Sequence, residues 1–124
     1  MYGYHGKFLL VDLSKMDIIE KELEQDVLYS YLGGRGLGSY LLSKLLTPGE
    51  DPLSPRNVLI FAAGPATDSA LKPTAGYGVF TKSPATGLFT EAYCNGLLPP
   101  QVKKTGYDAL VITGAASRPS FITI

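Results

Sequence analysis

The sequence predicts an α+β domain: strand-dominated sheets with a few short helices. Apolar stretches of strand length recur along it, among them GKFLLVDL, VLIFA and ALVIT. Clear helical spacing of apolar residues is confined to the stretch between Gln25 and Leu46. The 14 glycines and 9 prolines among 124 residues supply the turns that many short strands require. No repeat, linker or low-complexity segment interrupts the chain. Residues 1–124 therefore read as one domain, of a size that supports a modest core.

Gly6 to Leu13 reads as a strand and Asp17 to Leu23 as its partner, with Ser14–Lys15–Met16 as the hairpin turn. Leu28, Tyr31 and Leu32 fall at i, i+3 and i+4, which predicts a short helix after Gln25 or Asp26. Gly33–Gly34 is its expected C-terminal cap. A second helix is expected from about Leu37 to Leu46, with Leu37, Leu41 and Leu45 on one face and Pro48 as the stop. A proline-punctuated loop, Thr47 to Asn57, leads into a buried strand, Val58 to Ala62, ended by Gly64–Pro65. Tyr77 to Thr81 and Gly87 to Ala92 read as two strands around the turn Ser83–Pro84–Ala85–Thr86. Asn95 is placed to cap a short helix, with Pro99 and Pro100 tolerated in its first turn. Ala109 to Thr113 and Ser120 to Thr123 are the last two predicted strands.

Composition narrows the function classes. Hydrophobic content of 45% and charged content of 18% describe a folded chain rather than a disordered one. The 11 basic residues balance the 11 acidic ones, so nothing favours nucleic acid or an anionic membrane as a partner. The apolar runs fall far short of a membrane span. The opening MYGYHGKFLL lacks the apolar core of a secretory signal, and one cysteine, Cys94, excludes an internal disulfide. Together these point to the cytoplasm. One cysteine and one histidine, His5, cannot supply a structural zinc site or the thiolates of an iron–sulfur cluster. A Ser–His–Asp triad would have to use His5, which lies in no motif.

Three segments are candidates for chemistry. GGRGLG (Gly33 to Gly38) resembles a phosphate loop, but the dinucleotide fingerprint needs a glycine where Ser39 stands and a strand before it. The simpler reading is a helix–helix corner with Arg35 solvated or paired with a carboxylate, and the alternative is an anion site at the second helix. Lys82, beside Ser83–Pro84, is either solvated or in contact with a phosphate or carboxylate. Tyr93–Cys94–Asn95–Gly96 lies where a strand passes into a helix. It is either an N-cap with a buried, inert cysteine or a place where backbone groups meet a phosphate or a hard cation. The stretch from Pro73 to Asn95 is the most informative of all. Its glycines and small hydroxyl residues suit a backbone that approaches a ligand closely.

Five segments in register resemble the N-terminal domain of the aldehyde:ferredoxin oxidoreductase family, the tungsten or molybdenum pterin enzymes. They are MYGYHGKFLLVDLS at the start, YLGGRGLGSYLL from Tyr31 to Leu42, DPLSPRNVLIFAAGPATDS from Asp51 to Ser69, PTAGYGVFTKSPATG from Pro73 to Gly87, and GYDALVITGAA from Gly106 to Ala116. The resemblance implies an enzyme that oxidises aldehydes to carboxylic acids and passes electrons through an iron–sulfur cluster to ferredoxin. It implies a tungsten or molybdenum ion held by the dithiolenes of a bis-pterin, with a magnesium ion bridging the pterin phosphates. It also implies that this domain forms a saddle-like base of sheets facing that cofactor.

Carried over by position, the cofactor-facing residues are Gly76, Tyr77, Ala92, Tyr93, Cys94, Asn95 and Gly96. The family pattern G-G-R-Y has an arginine where this chain has Gly76. The pattern Ala-Asn-Ser-Gly-Gly corresponds to Ala92–Tyr93–Cys94–Asn95–Gly96. Its asparagine gives a backbone carbonyl to the magnesium, so the backbone carbonyl of Tyr93 is the expected metal ligand, with Asn95 as the alternative after a small loop shift. No catalytic residue is expected within these 124 residues.

The family's enzymes are several times longer, so the chain reads as an N-terminal piece, a split gene product or a truncated copy. The cluster ligands and the substrate pocket are expected outside it. The first functional reading is the cofactor-facing base of such an oxidoreductase, inactive alone and partnered by the remaining domains. The second is a stand-alone binding or assembly module without redox chemistry. An unrelated small enzyme built around His5 has the least support. A surface that normally lies beneath a cofactor and other domains is expected to make the isolated chain self-associate.

Overall fold

The computed structural model describes residues 2–71 and 76–123. Its elements are β1 (Lys7–Asp12), β2 (Asp17–Glu22), α1 (Gln25–Ser30), α2 (Arg35–Leu45), β3 (Val58–Ala63), β4 (Gly76–Lys82), β5 (Phe89–Asn95), α3 (Leu98–Lys104) and β6 (Ala109–Thr113). The strands form one mixed sheet in the order β2-β1-β6-β3-β4-β5. Only β1 and β6 run parallel, and the other neighbours are antiparallel. The α+β class with a strand-dominated sheet and short helices is what the sequence predicts.

Alternation along the central strands sorts the side chains onto two faces. One face carries Phe8, Val58, Ile60, Ala62, Phe80, Ala109 and Val111, covered by Leu28 of α1 and Leu37, Leu41 and Leu42 of α2. Each buried leucine of this kind contributes about 1.5–3 kcal/mol relative to an exposed one. The opposite face carries a smaller cluster, in which Leu9, Val11 and Leu110 pack with Phe61, Tyr107 and Ile112.

Several expected boundaries move. Helix α1 ends at Ser30 with Tyr31 as its C-cap, so Gly33–Gly34 does not close it. Gly34, at φ +68°, is instead the N-cap of α2, which starts at Arg35. The left-handed backbone there suits a glycine and turns the chain between the helices. Strand β5 lies further along than expected, at Phe89–Asn95, because Gly87 (φ +70°) stays in the turn and Ser83 N–H closes the hairpin onto Leu88 C=O at 2.8 Å. Asn95 is held as the last residue of β5, opposite Gly76, so it caps nothing; Leu97 is the N-cap of α3, with Pro99 and Pro100 in its first turn. Ser120 to Thr123 is not a strand. After Ala115 N–H bonds the Ser14 hydroxyl, no strand among the described residues runs beside the tail, and Phe121 is 90% exposed. β-branched sequence without a ladder partner does not make a strand.

The loop between α2 and β3 is organised by a buried carboxylate. Glu50 accepts from Arg56 Nε at 2.8 Å and from the Ser54 hydroxyl at 2.5 Å. Lys82 is neither free in solvent nor placed on an anion: its Nζ donates to the Glu50 main-chain carbonyl at 2.5 Å. The Arg56 and Ser54 hydrogen bonds hold the Glu50 carboxyl below the ordinary glutamate range. A depressed folded value means that this contribution is complete above the unfolded value and is lost as pH falls through the folded one. Acidification from neutral pH to about pH 3 is therefore expected to cost the Glu50→Gln variant less stability than the parent. Urea midpoints at the two pH values check this, and equal losses would show that Glu50 carries none of the acid sensitivity.

Candidate functional site

The predicted site residues meet on the β4–β5 hairpin. In register, Gly76 faces Asn95, Tyr77 faces Cys94, Gly78 faces Tyr93 and Val79 faces Ala92. Pro73 to Ala75, the start of the informative stretch, lie outside the described residues. The hairpin brings the candidates together in space but divides their side chains between the two faces. Tyr93 sits on the helix side with its ring edge-on to Phe80, centroids 6.1 Å apart. Tyr77 stacks on Phe61 on the other side, at 6.0 Å, and Cys94 is its cross-strand neighbour. Burial, followed by the contact with Cys94, raises the Tyr77 phenol above its ordinary value. Cys94 is exposed, contrary to the buried and inert reading, because β5 is an edge strand.

What these residues share is the main chain of that edge. Residues of an antiparallel pair alternate between exchanging hydrogen bonds and facing away from each other. The Ser83–Leu88 bond and the unbroken register set the phase. Gly78/Tyr93 and Gly76/Asn95 are then pairs that exchange no bonds, so Tyr93 and Asn95 turn their N–H and C=O groups to the open side of β5. A backbone carbonyl is a hard oxygen donor of the kind magnesium takes. Gly96, at φ +143°, has open space where a Cβ would stand. At Gly76 a Cβ would lie 3.0 Å from Asn95 Oδ1, so the missing side chain leaves the strand end close-packed rather than hollow. The edge accordingly fits a cation held by main-chain oxygen. It does not supply the family's arginine at position 76.

A guanidinium does reach β5 from another element. Arg35, the first residue of α2, places Nε 2.9 Å from Glu91 Oε2. The Tyr93 hydroxyl donates to the same oxygen at 3.0 Å. Partial desolvation and this hydrogen bond raise the Tyr93 phenol above its ordinary value. GGRGLG is thus a helix–helix corner whose arginine pairs with a carboxylate. Sequence spacing could not identify Glu91 as the partner, because the contact depends on α2 lying across the sheet.

His5 supplies no triad. Its backbone N–H, with that of Gly6, donates to the buried Asp108 carboxylate at 2.8–3.1 Å. Lys103, 4% exposed, completes this cluster through Asp108 at 2.5 Å and the Gly3 carbonyl at 2.7 Å. Nothing in the local sequence marks Lys103 and Asp108, five residues apart across a turn, as a buried pair. Among the described residues there is no group of three or more His, Cys, Asp or Glu side chains placed to hold a metal ion. Among them, too, no helix is long and apolar enough to cross a membrane.

Comparison with known proteins decides the family. The model of the aldehyde ferredoxin oxidoreductase N-terminal domain matches residues 8–124. The chain belongs to this family. It is 47% identical to the tungsten-containing aldehyde ferredoxin oxidoreductase of Pyrococcus furiosus over 125 residues, covering 100% of this chain and 20% of that one. The protein of the same name from Thermococcus kodakarensis is 42% identical, with the same coverage. A solved structure, the active site complex BamBC of benzoyl coenzyme A reductase with 1,5-dienoyl-CoA, superimposes with a TM-score of 0.90 at 32% identity, covering 94% of this chain and 18% of that one. The chain therefore spans about a fifth of the length of the aldehyde ferredoxin oxidoreductases it matches.

Proposed function

We propose that residues 1–124 form one domain, the N-terminal, bis-pterin-facing portion of a tungsten-dependent oxidoreductase that oxidises aldehydes to carboxylic acids with ferredoxin as acceptor. The observation that carries this reading is the 47% identity across the whole chain to a tungsten-containing aldehyde ferredoxin oxidoreductase. On this reading the cluster ligands and the substrate pocket lie in the four-fifths of such a protein that the chain does not span, and the chain is inactive alone. Those parts, in the same polypeptide or another, are its partners. The bound cofactor would supply the two-electron redox chemistry. This chain's own part would be to hold it: Tyr93 would offer its outward carbonyl to a magnesium ion, Gly76, Tyr77, Ala92, Cys94 and Asn95 would line the approach, and Gly96 would keep it open. Self-association of the isolated chain and a cytoplasmic location complete the reading.

The departure at Gly76 and the division of the site between two faces favour a second reading, a binding or assembly module without redox activity. Metal analysis by inductively coupled plasma mass spectrometry on the natively purified protein, with whatever accompanies it, separates the two. Stoichiometric tungsten with iron is the expected result for the oxidoreductase. A purified chain with neither metal nor a companion polypeptide would favour the module and sink the first reading.

A further inference from the structure

Thr67 is buried, and nothing in the proposed chemistry uses its hydroxyl. It closes the turn that follows β3. Its N–H donates to the Gly64 carbonyl at 3.1 Å, with Pro65 at the second position of the turn, where its fixed φ is favoured. Two other segments hold this turn from behind. A Cβ on Gly3 would lie 2.7 Å from the Pro65 carbonyl oxygen, and one on Gly33 would lie 2.9 Å from that of Ala63. Gly34 N–H donates to the Ala63 carbonyl at 3.0 Å, and Gly33 N–H donates to the Tyr4 hydroxyl at 2.6 Å. Backbone packed this closely leaves the turn little room to shift.

From this fixed base the Thr67 hydroxyl donates to the Gly76 carbonyl at 3.3 Å. Strand β3 ends at Ala63, one residue after Ala62 faces Gly78. The ladder that would hold Gly76 from that side has run out, and the hydroxyl takes its place. The Gly76 carbonyl and the Tyr77 N–H belong to one planar peptide unit. Gly76 and Asn95 exchange no bonds, whereas Tyr77 and Cys94 do. That peptide is therefore held on one side by Thr67 and on the other by the Cys94 carbonyl. Tyr77/Cys94 is the last exchanging pair of the hairpin among the described residues, and Cys94 stands between Tyr93 and Asn95. A group that fixes this peptide fixes the strand end that carries the candidate carbonyls.

We infer that Thr67 is a positioning residue of the candidate site: its hydroxyl fixes the Gly76–Tyr77 peptide and, through the Tyr77–Cys94 pair, the Tyr93–Asn95 end of β5. This rests on the cofactor-facing role proposed for that end, and it adds a buried side chain that acts only through the main chain.

Two variants separate the hydroxyl from the shape it fills. Thr67→Val keeps the shape and removes the donor, and Thr67→Ser keeps the donor. Amide hydrogen exchange, read residue by residue on the natively purified protein with whatever accompanies it, compares them. Loss of one such hydrogen bond is expected to speed exchange at the Tyr77 and Cys94 amides about three- to tenfold in Thr67→Val. The amides of β1 and β6 keep their parent rates, and Thr67→Ser stays close to the parent throughout. Thr67→Ala, set against Thr67→Ser, gives the same comparison if Thr67→Val does not fold. Parent-like rates without the hydroxyl, equal acceleration across the sheet, or no rescue by serine would each overturn the inference. Tungsten content of the same samples is expected to fall in Thr67→Val and not in Thr67→Ser. An undiminished content beside faster exchange would overturn the part Thr67 plays in holding the cofactor. A parent without tungsten would instead sink the oxidoreductase reading, and the exchange rates would still decide whether Thr67 positions the hairpin.

Discussion

Asp108→Ala is expected to leave a chain that barely holds its fold at ordinary temperature. The Asp108 side chain is fully buried and accepts from His5 N–H, Gly6 N–H and Lys103 Nζ. Its own main chain joins two strands, donating to the Lys7 carbonyl and accepting from Ala63 N–H. Truncation leaves two backbone amides without an acceptor and a buried ammonium with no counter-charge, held by the Gly3 carbonyl. Removing one partner of a buried pair costs about 3–5 kcal/mol. That is a large share of the roughly 5–15 kcal/mol that keeps a domain folded. The melting temperature should fall by about 10–20 °C in calorimetry or thermal circular dichroism. Replacing both charges, as Asp108→Leu with Lys103→Met, should lose less than Asp108→Ala, because no unpaired charge remains; the His5 and Gly6 amides still lose their acceptor. A melting temperature for Asp108→Ala within a few degrees of the parent would show that water replaces the carboxylate and that the cluster is not a structural tie.

Gly38→Ala should destabilise the protein although it improves the helix. In a helix interior alanine is favoured over glycine by about 1 kcal/mol on propensity alone. Here a Cβ on Gly38 would run into the Phe80 ring, and one on Gly78 would meet the same ring from β4. Phe80 is fully buried between them. Overpacking of this kind costs about 1–3 kcal/mol and outweighs the propensity gain. The sign of the change in urea midpoint therefore tests the packing directly. Phe80→Leu should relieve part of the strain, so the double variant is expected to be less damaged than the sum of the singles. Phe80 also contacts Phe89 at 6.2 Å and Tyr93 at 6.1 Å, so a displaced ring disturbs β5, where the candidate site lies. A Gly38→Ala protein more stable than the parent would mean that Phe80 has an alternative rotamer the sheet accepts.

The two cases differ in how much of them sequence could reveal. Strand-length apolar runs locate β1, β3 and β6 to within a residue or so, because alternation and burial act locally. The leucines of α2 mark its face for the same reason. The five motifs from Met1 to Ala116 are enough to identify the family, and with it the stretch that carries the candidate residues. Gly38 was legible as a helix glycine but not as the seat of a phenylalanine from a distant strand. Nothing in the sequence around Asp108 marks it as buried or as the partner of Lys103.

By itself, then, the sequence determined the α+β class, most elements and the family, and it nominated the positions of the candidate site, since periodicity, turn chemistry and motif order are properties of neighbours along the chain. Only the tertiary structure decided that Asn95 belongs to a strand rather than a helix cap, and that Ser120 to Thr123 is not a strand. It also decided that Cys94 is exposed and that Arg35 answers Glu91. Most of all, it decided that the Tyr93 carbonyl faces the open edge of β5. These depend on sheet order and hydrogen-bond phase, which arise when segments distant in sequence are brought side by side.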